Sequence, residues 1–233
     1  RLIATSATYR QASHCPPELH ARDPENRLLA RGPRSRLEAE QIRDAVLFAS
    51  GLLNTKIGGP SVYPPQVEGV SEVAYGSPKW NASPGADRYR RGLYTFAKRT
   101  APFAMATTFD APSGEACVAR RDRSNTPLQA LTLLNDVVFV EAARALGKML
   151  AEDPAPLSER ITKLYRRCLT RPPSSDEREM IAHFLEVQRA RFKTGELHPL
   201  KVAGDSAGDT IECAAWTAVA RAIFNLDETI TKS

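Results

Sequence analysis

The stretch TPLQALTLLNDVVFVEAARALGKMLA (126–151) decides the fold. Asn125 or Thr126 can cap a helix, Pro127 suits its first turn, and Leu128, Leu131, Leu134, Val138, Ala142 and Leu146 follow at spacings of three and four. A central helix over 126–151 is predicted. Asn135 and Asp136 interrupt its apolar pattern. Polar groups there need partners or solvent, so they are candidates for contact with a ligand or with neighbouring arginines, and a local break at Asn135 is the alternative.

Working outward, the pattern stays helical. Residues 156–233 read as C-terminal helices. The first follows Asp153, Pro154 and Pro156 and carries Leu157, Ile161, Leu164, Tyr165, Cys168 and Leu169 on one face. Ser174 and Glu177 form a capping box for the next, with Ile181, Phe184 and Leu185. After a connection at about 194–209, Ile211, Ala214, Ala215, Ala218, Val219, Ala222, Ile223 and Leu226 form a closing helix whose small residues allow close packing. On the N-terminal side, Ile42, Ala45, Val46, Ala49, Leu52 and Leu53 give a helix over 38–53, with Gly51 and Asn54 suited to its end.

Residues 51–92 break this order, with seven Gly and five Pro among 42 residues. Such density sustains neither a helix nor a central strand, and loops this long are functional or mobile. Val62, Tyr63, Val67, Val70 and Tyr75 argue for at least partial docking, and LYTF (93–96) for a short strand. The expected fold is one mainly α domain (1–233), a bundle of about five or six helices with a long Gly/Pro-rich irregular insertion across one end.

Charge is concentrated in one segment. Between 88 and 123, eight basic residues (Arg88, Arg90, Arg91, Lys98, Arg99, Arg120, Arg121, Arg123) face Asp110, Glu115 and Asp122. The difference, +5, equals the net charge of the whole chain. Without a basic stripe elsewhere or a reading motif, nucleic-acid binding is disfavoured. Arg120, Arg121 and Arg123 precede a helix start, where bidentate donors beside free backbone N–H groups can hold phosphate, sulfate or carboxylate. They can equally lock loop to helix by pairing with Asp110, Glu115, Asp122 or Asp136. Arg90, Arg91, Arg99, Arg120, Arg121, Arg123, Asn125, Asn135 and Asp136 are therefore the candidate binding residues. Asp110, in TFDAP (108–112), is the candidate general base, with no His, Ser or second carboxylate at diagnostic spacing.

Several chemistries lack their signatures. There is no Walker A loop, G-x-G-x-x-G, H-E-x-x-H or G-x-S-x-G. Cys15, Cys117, Cys168 and Cys213 lack C-x-x-C spacing and a haem-attachment motif, and read as buried thiols rather than a disulfide framework. His14, His20, His183 and His198 lack metal-ligand spacing, so no metal and no cofactor is expected in this chain. No apolar run is long enough for a membrane helix. The chain opens at Arg1 in mid-pattern and is read as a C-terminal piece of a longer polypeptide.

Six motifs occur in an order that resembles one family: TSATYRQAS (5–13), RLEAEQIRDAVLFASGLL (36–53), RRGLYTFAKRT (90–100), TTFDAPSGEACVARR (107–121), RSNTPLQALTLLND (123–136) and IFNLDETI (223–230). It is the PSD-type C-terminal domain of unknown function of planctomycete cytochrome c domain proteins. Ala97 stands where that family commonly has tryptophan, and SNTP replaces TNTP. The resemblance implies an exported, extracytoplasmic protein, upstream domains of the same polypeptide as partners, and a haem c in one of those domains. It assigns no catalytic residue. Two functions are expected from it together with the arginines. One is an accessory binding module with an arginine-rich anion or interaction site; the alternative is a catalytic domain acting on anionic glycans with redox coupling to the upstream haem.

Overall fold

The computed structural model describes residues 1–66, 69–70, 79–204 and 208–232, so Val67 and Tyr75 lie outside the described residues. The expected mainly α fold is observed. Ten α-helices occur among the described residues: α1 (Leu2–Thr5), α2 (Pro17–Arg22), α3 (Ala39–Ser50), α4 (Ala104–Thr108), α5 (Pro127–Asn135), α6 (Val137–Ala151), α7 (Leu157–Leu169), α8 (Ser175–Lys193), α9 (Pro199–Ala203) and α10 (Thr210–Phe224). A two-residue antiparallel pair, β1 (Ser35–Arg36) with β2 (Thr231–Lys232), ties the approach to α3 to the C-terminal end.

The helix expected over 126–151 is two helices. Asp136 is extended (φ −62°, ψ 140°) and its carboxylate accepts the Val138 amide at 2.9 Å, capping α6. Asn135 bonds back to the Leu131 carbonyl, and Arg221 of α10 donates to the Leu134 carbonyl at 2.7 Å. A short acidic side chain satisfies a helix start better than it tolerates a helix interior, so the chain breaks one residue beyond the Asn135 alternative. Thr126 caps α5 and Ser174 caps α8, each through a capping box.

The core forms where α10 crosses α6 and α8. Trp216, Val219, Ile223 and Phe224 of α10 meet Phe139, Ala142, Leu146 and Leu150 of α6, with Ile161, Leu164 and Leu185 completing the cluster. Small residues on both helices bring the backbones together, as Ala214 and Ala215 led us to expect of α10. α3 packs on the other side of α6 through Ile42, Val46 and Ala49. It ends at Gly51 in the left-handed conformation (φ 79°).

The four cysteines are free. Cys213 is buried, Cys117 exposed, and burial pushes the Cys168 thiol up to about 12.

One ion network closes the C-terminal end. Arg171 forks onto Glu177 (2.6 and 2.7 Å) and Glu228 (2.6 and 2.7 Å), joining the end of α7, the start of α8 and the final segment. These hydrogen bonds hold the Glu177 carboxyl down at about 2. A carboxyl depressed by folding contributes stability above its unfolded value, and that contribution disappears as pH falls through the folded one. Melting temperature is therefore expected to drop between pH 4.5 and about 2. In Arg171→Ala, followed by circular dichroism, that acid limb becomes shallower and the plateau above it lower.

Between 51 and 92 the described residues are irregular, as expected, with a 3-10 turn at Gly85–Tyr89. Val62 is buried and Tyr63 half-buried, whereas Val70 is exposed. LYTF does not form a strand. It contributes a 3-10 turn at Gly92–Tyr94 and one parallel bridge, Val62 with Thr95.

Candidate binding cleft

The arginine-rich segment begins with structural anchors. Arg43 sits on the buried face of α3 at 1% exposure and donates to the carbonyls of Arg90 (2.5 Å) and Arg88 (2.8 Å). Burial brings its guanidinium down to about 10. Arg90 is equally buried. Its guanidinium lies over the Tyr94 ring and donates to the carbonyls of Pro60 (2.9 Å), Gly58 (2.5 Å) and Lys56 (3.3 Å). Gly58 and Gly59 have φ of 75° and 92°, a turn that turns those carbonyls inward and that side chains with a Cβ rarely adopt. Two arginines in series thus tie the insertion to α3. Arg88 pairs with Glu141 of α6 at 2.6 Å, and the Tyr89 hydroxyl donates to the same carboxylate.

Beyond Arg90 the chain forms one wall of a cleft of about 570 Å³. The opposite wall is the N-terminal half of α3, which presents Glu38, Glu40 and Asp44. Gly92 makes this close approach possible: a Cβ there would stand 2.9 Å from the Glu40 Cα. Its amide donates to Asp44 at 2.6 Å, and Arg91 Nε reaches the same carboxylate at 3.2 Å. Phe103 and Met105 form the floor, both nearly buried. Phe103 stacks on Trp80, Trp80 meets Tyr63 edge-on, and Tyr63 stacks on Phe96 at the cleft lip. This aromatic row fixes the wall against the insertion.

The third side is the loop 110–124, whose ends are pinned together. Asp110, at φ 60°, accepts the Ser124 amide at 2.7 Å and the Ser124 hydroxyl at 2.8 and 2.9 Å. Gln129, 1% exposed, donates to the Ser124 hydroxyl and the Thr108 carbonyl, each at 3.0 Å, and accepts from Arg36 at 3.1 Å. A compact surface loop with such a neck is an Ω-loop. Arg121 clips it to α3, donating to Glu40 at 2.7 and 3.1 Å and to Glu38 at 3.2 Å. Burial alone would push the Glu40 carboxyl up; the Arg121 hydrogen bonds outweigh it and hold the group below its usual range. Arg121 is correspondingly raised, chiefly by the Glu40 hydrogen bond.

A sequence profile for a protein of unknown function, PSD1 (DUF1553), matches residues 1–185, which include every wall of this cleft. The chain belongs to the PSD1 family. No curated protein and no solved structure matches it. The matched region of this PSD1 domain ends within α8, so α9, α10 and the 223–230 motif lie beyond it.

The PSD1 fold sorts the candidate residues into five places. Arg91, Arg99 and Arg121 line the cleft. Asp110 and Arg123 join Arg121 at a small neighbouring crevice. Arg120 and Asn125 are exposed. Arg90 lies in the interior, and Asn135 and Asp136 serve the break between α5 and α6, where burial pushes the Asp136 carboxyl up. The arginines therefore do not form one site, and both oxygens of Asp110 are engaged by Ser124. Among the described residues Arg99, Arg120 and Arg123 have no ion-pair or hydrogen-bond partner. Sequence reasoning missed Arg43, although its spacing from Ala39, Val46 and Ser50 puts it on the buried face. It also missed Glu38, Glu40, Asp44 and Gln129, whose partners come from distant parts of the chain. No group of three or more His, Cys, Asp or Glu placed to hold a metal occurs among the described residues, and no helix is long and apolar enough to cross a membrane.

Proposed function

We propose that this PSD1 domain is an accessory binding module and that the cleft between α3, the 91–99 segment and the Ω-loop receives its ligand. One observation carries the reading: the carboxylates of the cleft are matched by Arg91 and Arg121, Arg43 is spent on backbone carbonyls, and Arg99 is left over above an apolar floor. A general base needs a carboxylate able to reach substrate. Here Asp44 is held by Gly92 and Arg91, Glu40 by Arg121, and Asp110 by Ser124. A concave, largely apolar pocket with few unmatched polar groups suits recognition. In the arrangement implied by the sequence resemblance, the module follows a haem-bearing domain in an exported polypeptide.

The test is a fragment screen read by methyl NMR. Hits are expected to shift the Met105 and Ala106 methyls, and Ser113→Trp, which places an indole at the exposed rim, is expected to weaken them about tenfold or more without lowering the melting temperature. Hits that bypass those methyls, or bind Ser113→Trp equally well, would refute the cleft as the site.

A further inference from the structure

Resting on that reading, we propose that the cleft selects a ligand with one carboxylate on an apolar body, the carboxylate held by Arg99. Charge matching decides the class. Of the cationic side chains lining the cleft, Arg43 is spent on backbone carbonyls, Arg91 on Asp44, Arg121 on Glu38 and Glu40, and Lys98 has a partner of its own. Arg99 has none among the described residues and is exposed. Its guanidinium offers the planar pair of donors that a carboxylate accepts side by side.

The opposite wall sets the number of charges. Glu38, Glu40 and Asp44 lie along α3 across the floor with Arg91 and Arg121 already paired to them, so a second negative group reaching that wall would give up water and find no free donor. A cationic group gains little there, because Arg91 and Arg121 already occupy those carboxylates. Polyanions, sulfated glycans included, are disfavoured because their further charges would be desolvated there without a donor. Between the two ends Phe103 and Met105 offer an apolar surface, continued at the lip by Leu93, 72% exposed, and Phe96.

The geometry also sets an orientation. The stem of Arg99 packs beside Gly114 of the Ω-loop, where a Cβ would lie 3.9 Å from the Arg99 Cγ. The carboxylate therefore sits at the Ω-loop end, with the apolar body running over the floor toward α3.

Four probes of equal chain length separate charge from hydrophobicity: octanoate, octanamide, suberate and octylamine, titrated below micelle formation into the whole chain and followed at the Met105 and Ala106 methyls. Octanoate is expected to bind about tenfold more tightly than the other three, the increment of one charge-assisted interaction. Arg99→Ala is expected to bring octanoate down to the level of octanamide while leaving octanamide unchanged. Octanamide, suberate or octylamine matching octanoate at these methyls would overturn the selectivity and leave the binding module standing. Silence of all four probes, with other fragments still shifting the methyls, would do the same. Silence of every compound would sink both. Octanoate retaining its advantage in Arg99→Ala would overturn the role of Arg99.

Discussion

Gly147→Ala is expected to destabilise the domain by about 2–3 kcal/mol and to lower its melting temperature by about 5–10 °C. The reason lies at the crossing of α6 and α10. A Cβ at position 147 would stand 2.6 Å from the Thr217 amide nitrogen and 2.8 Å from its Cα. Both are backbone atoms, so no rotamer change relieves the contact and the helices must separate. Separation loosens Leu146, Leu150, Trp216 and Ala220, all nearly or fully buried. Alanine's better helix propensity, about 1 kcal/mol, offsets only part of this. Thr217→Ser in the same chain should not restore stability, because the clash with the backbone remains. Thermal unfolding of the single and double variants measures both effects, and a Gly147→Ala protein as stable as the parent would mean the two helices do not approach this closely.

Arg43→Ala is expected to cost about 3–4 kcal/mol, seen as a fall of about 8–14 °C. Removing the guanidinium leaves the carbonyls of Arg88 and Arg90 without their donor and opens a cavity behind α3. It also removes the first link of the series that holds the insertion, since Arg90 in turn binds the carbonyls of Lys56, Gly58 and Pro60. Arg43→Met separates the contributions. It is uncharged like alanine but fills much of the space that alanine leaves empty, so it should unfold at a higher temperature than Arg43→Ala. Both variants should be cut faster than wild type between residues 54 and 66 in limited proteolysis. Equal cutting in that segment would show that Arg43 does not anchor it.

Much of the fold could be read from local rules. The caps at Thr126 and Ser174 and the apolar spacings of α3, α7, α8 and α10 depend on residues a few positions apart, and they appear where those rules put them. The break between α5 and α6 was readable as an alternative, because an Asn-Asp pair competes with the helix backbone. Gly147 was not. A glycine within a helix looks like a local weakness until the partner helix is known.

The site was legible as a region and illegible as an arrangement. The density of arginine between 88 and 123 pointed to a segment of which Arg91, Arg99 and Arg121 line the proposed cleft. Which arginine is mortar and which is open depends on carboxylates far along the chain. Glu40 lies 81 positions from Arg121, and Asp44 lies 47 from Arg91. Arg90 carried the same sequence signature as Arg99, yet one is buried under carbonyls and the other faces solvent.

That division of labour is the central claim, and comparing Arg90→Ala with Arg99→Ala tests it most directly. In thermal unfolding Arg90→Ala is expected to lose about 6–12 °C, since three carbonyls and the Tyr94 ring lose their partner, while Arg99→Ala stays within about 2 °C of wild type. An Arg99→Ala protein that melts as low as Arg90→Ala would make Arg99 structural too and contradict the account.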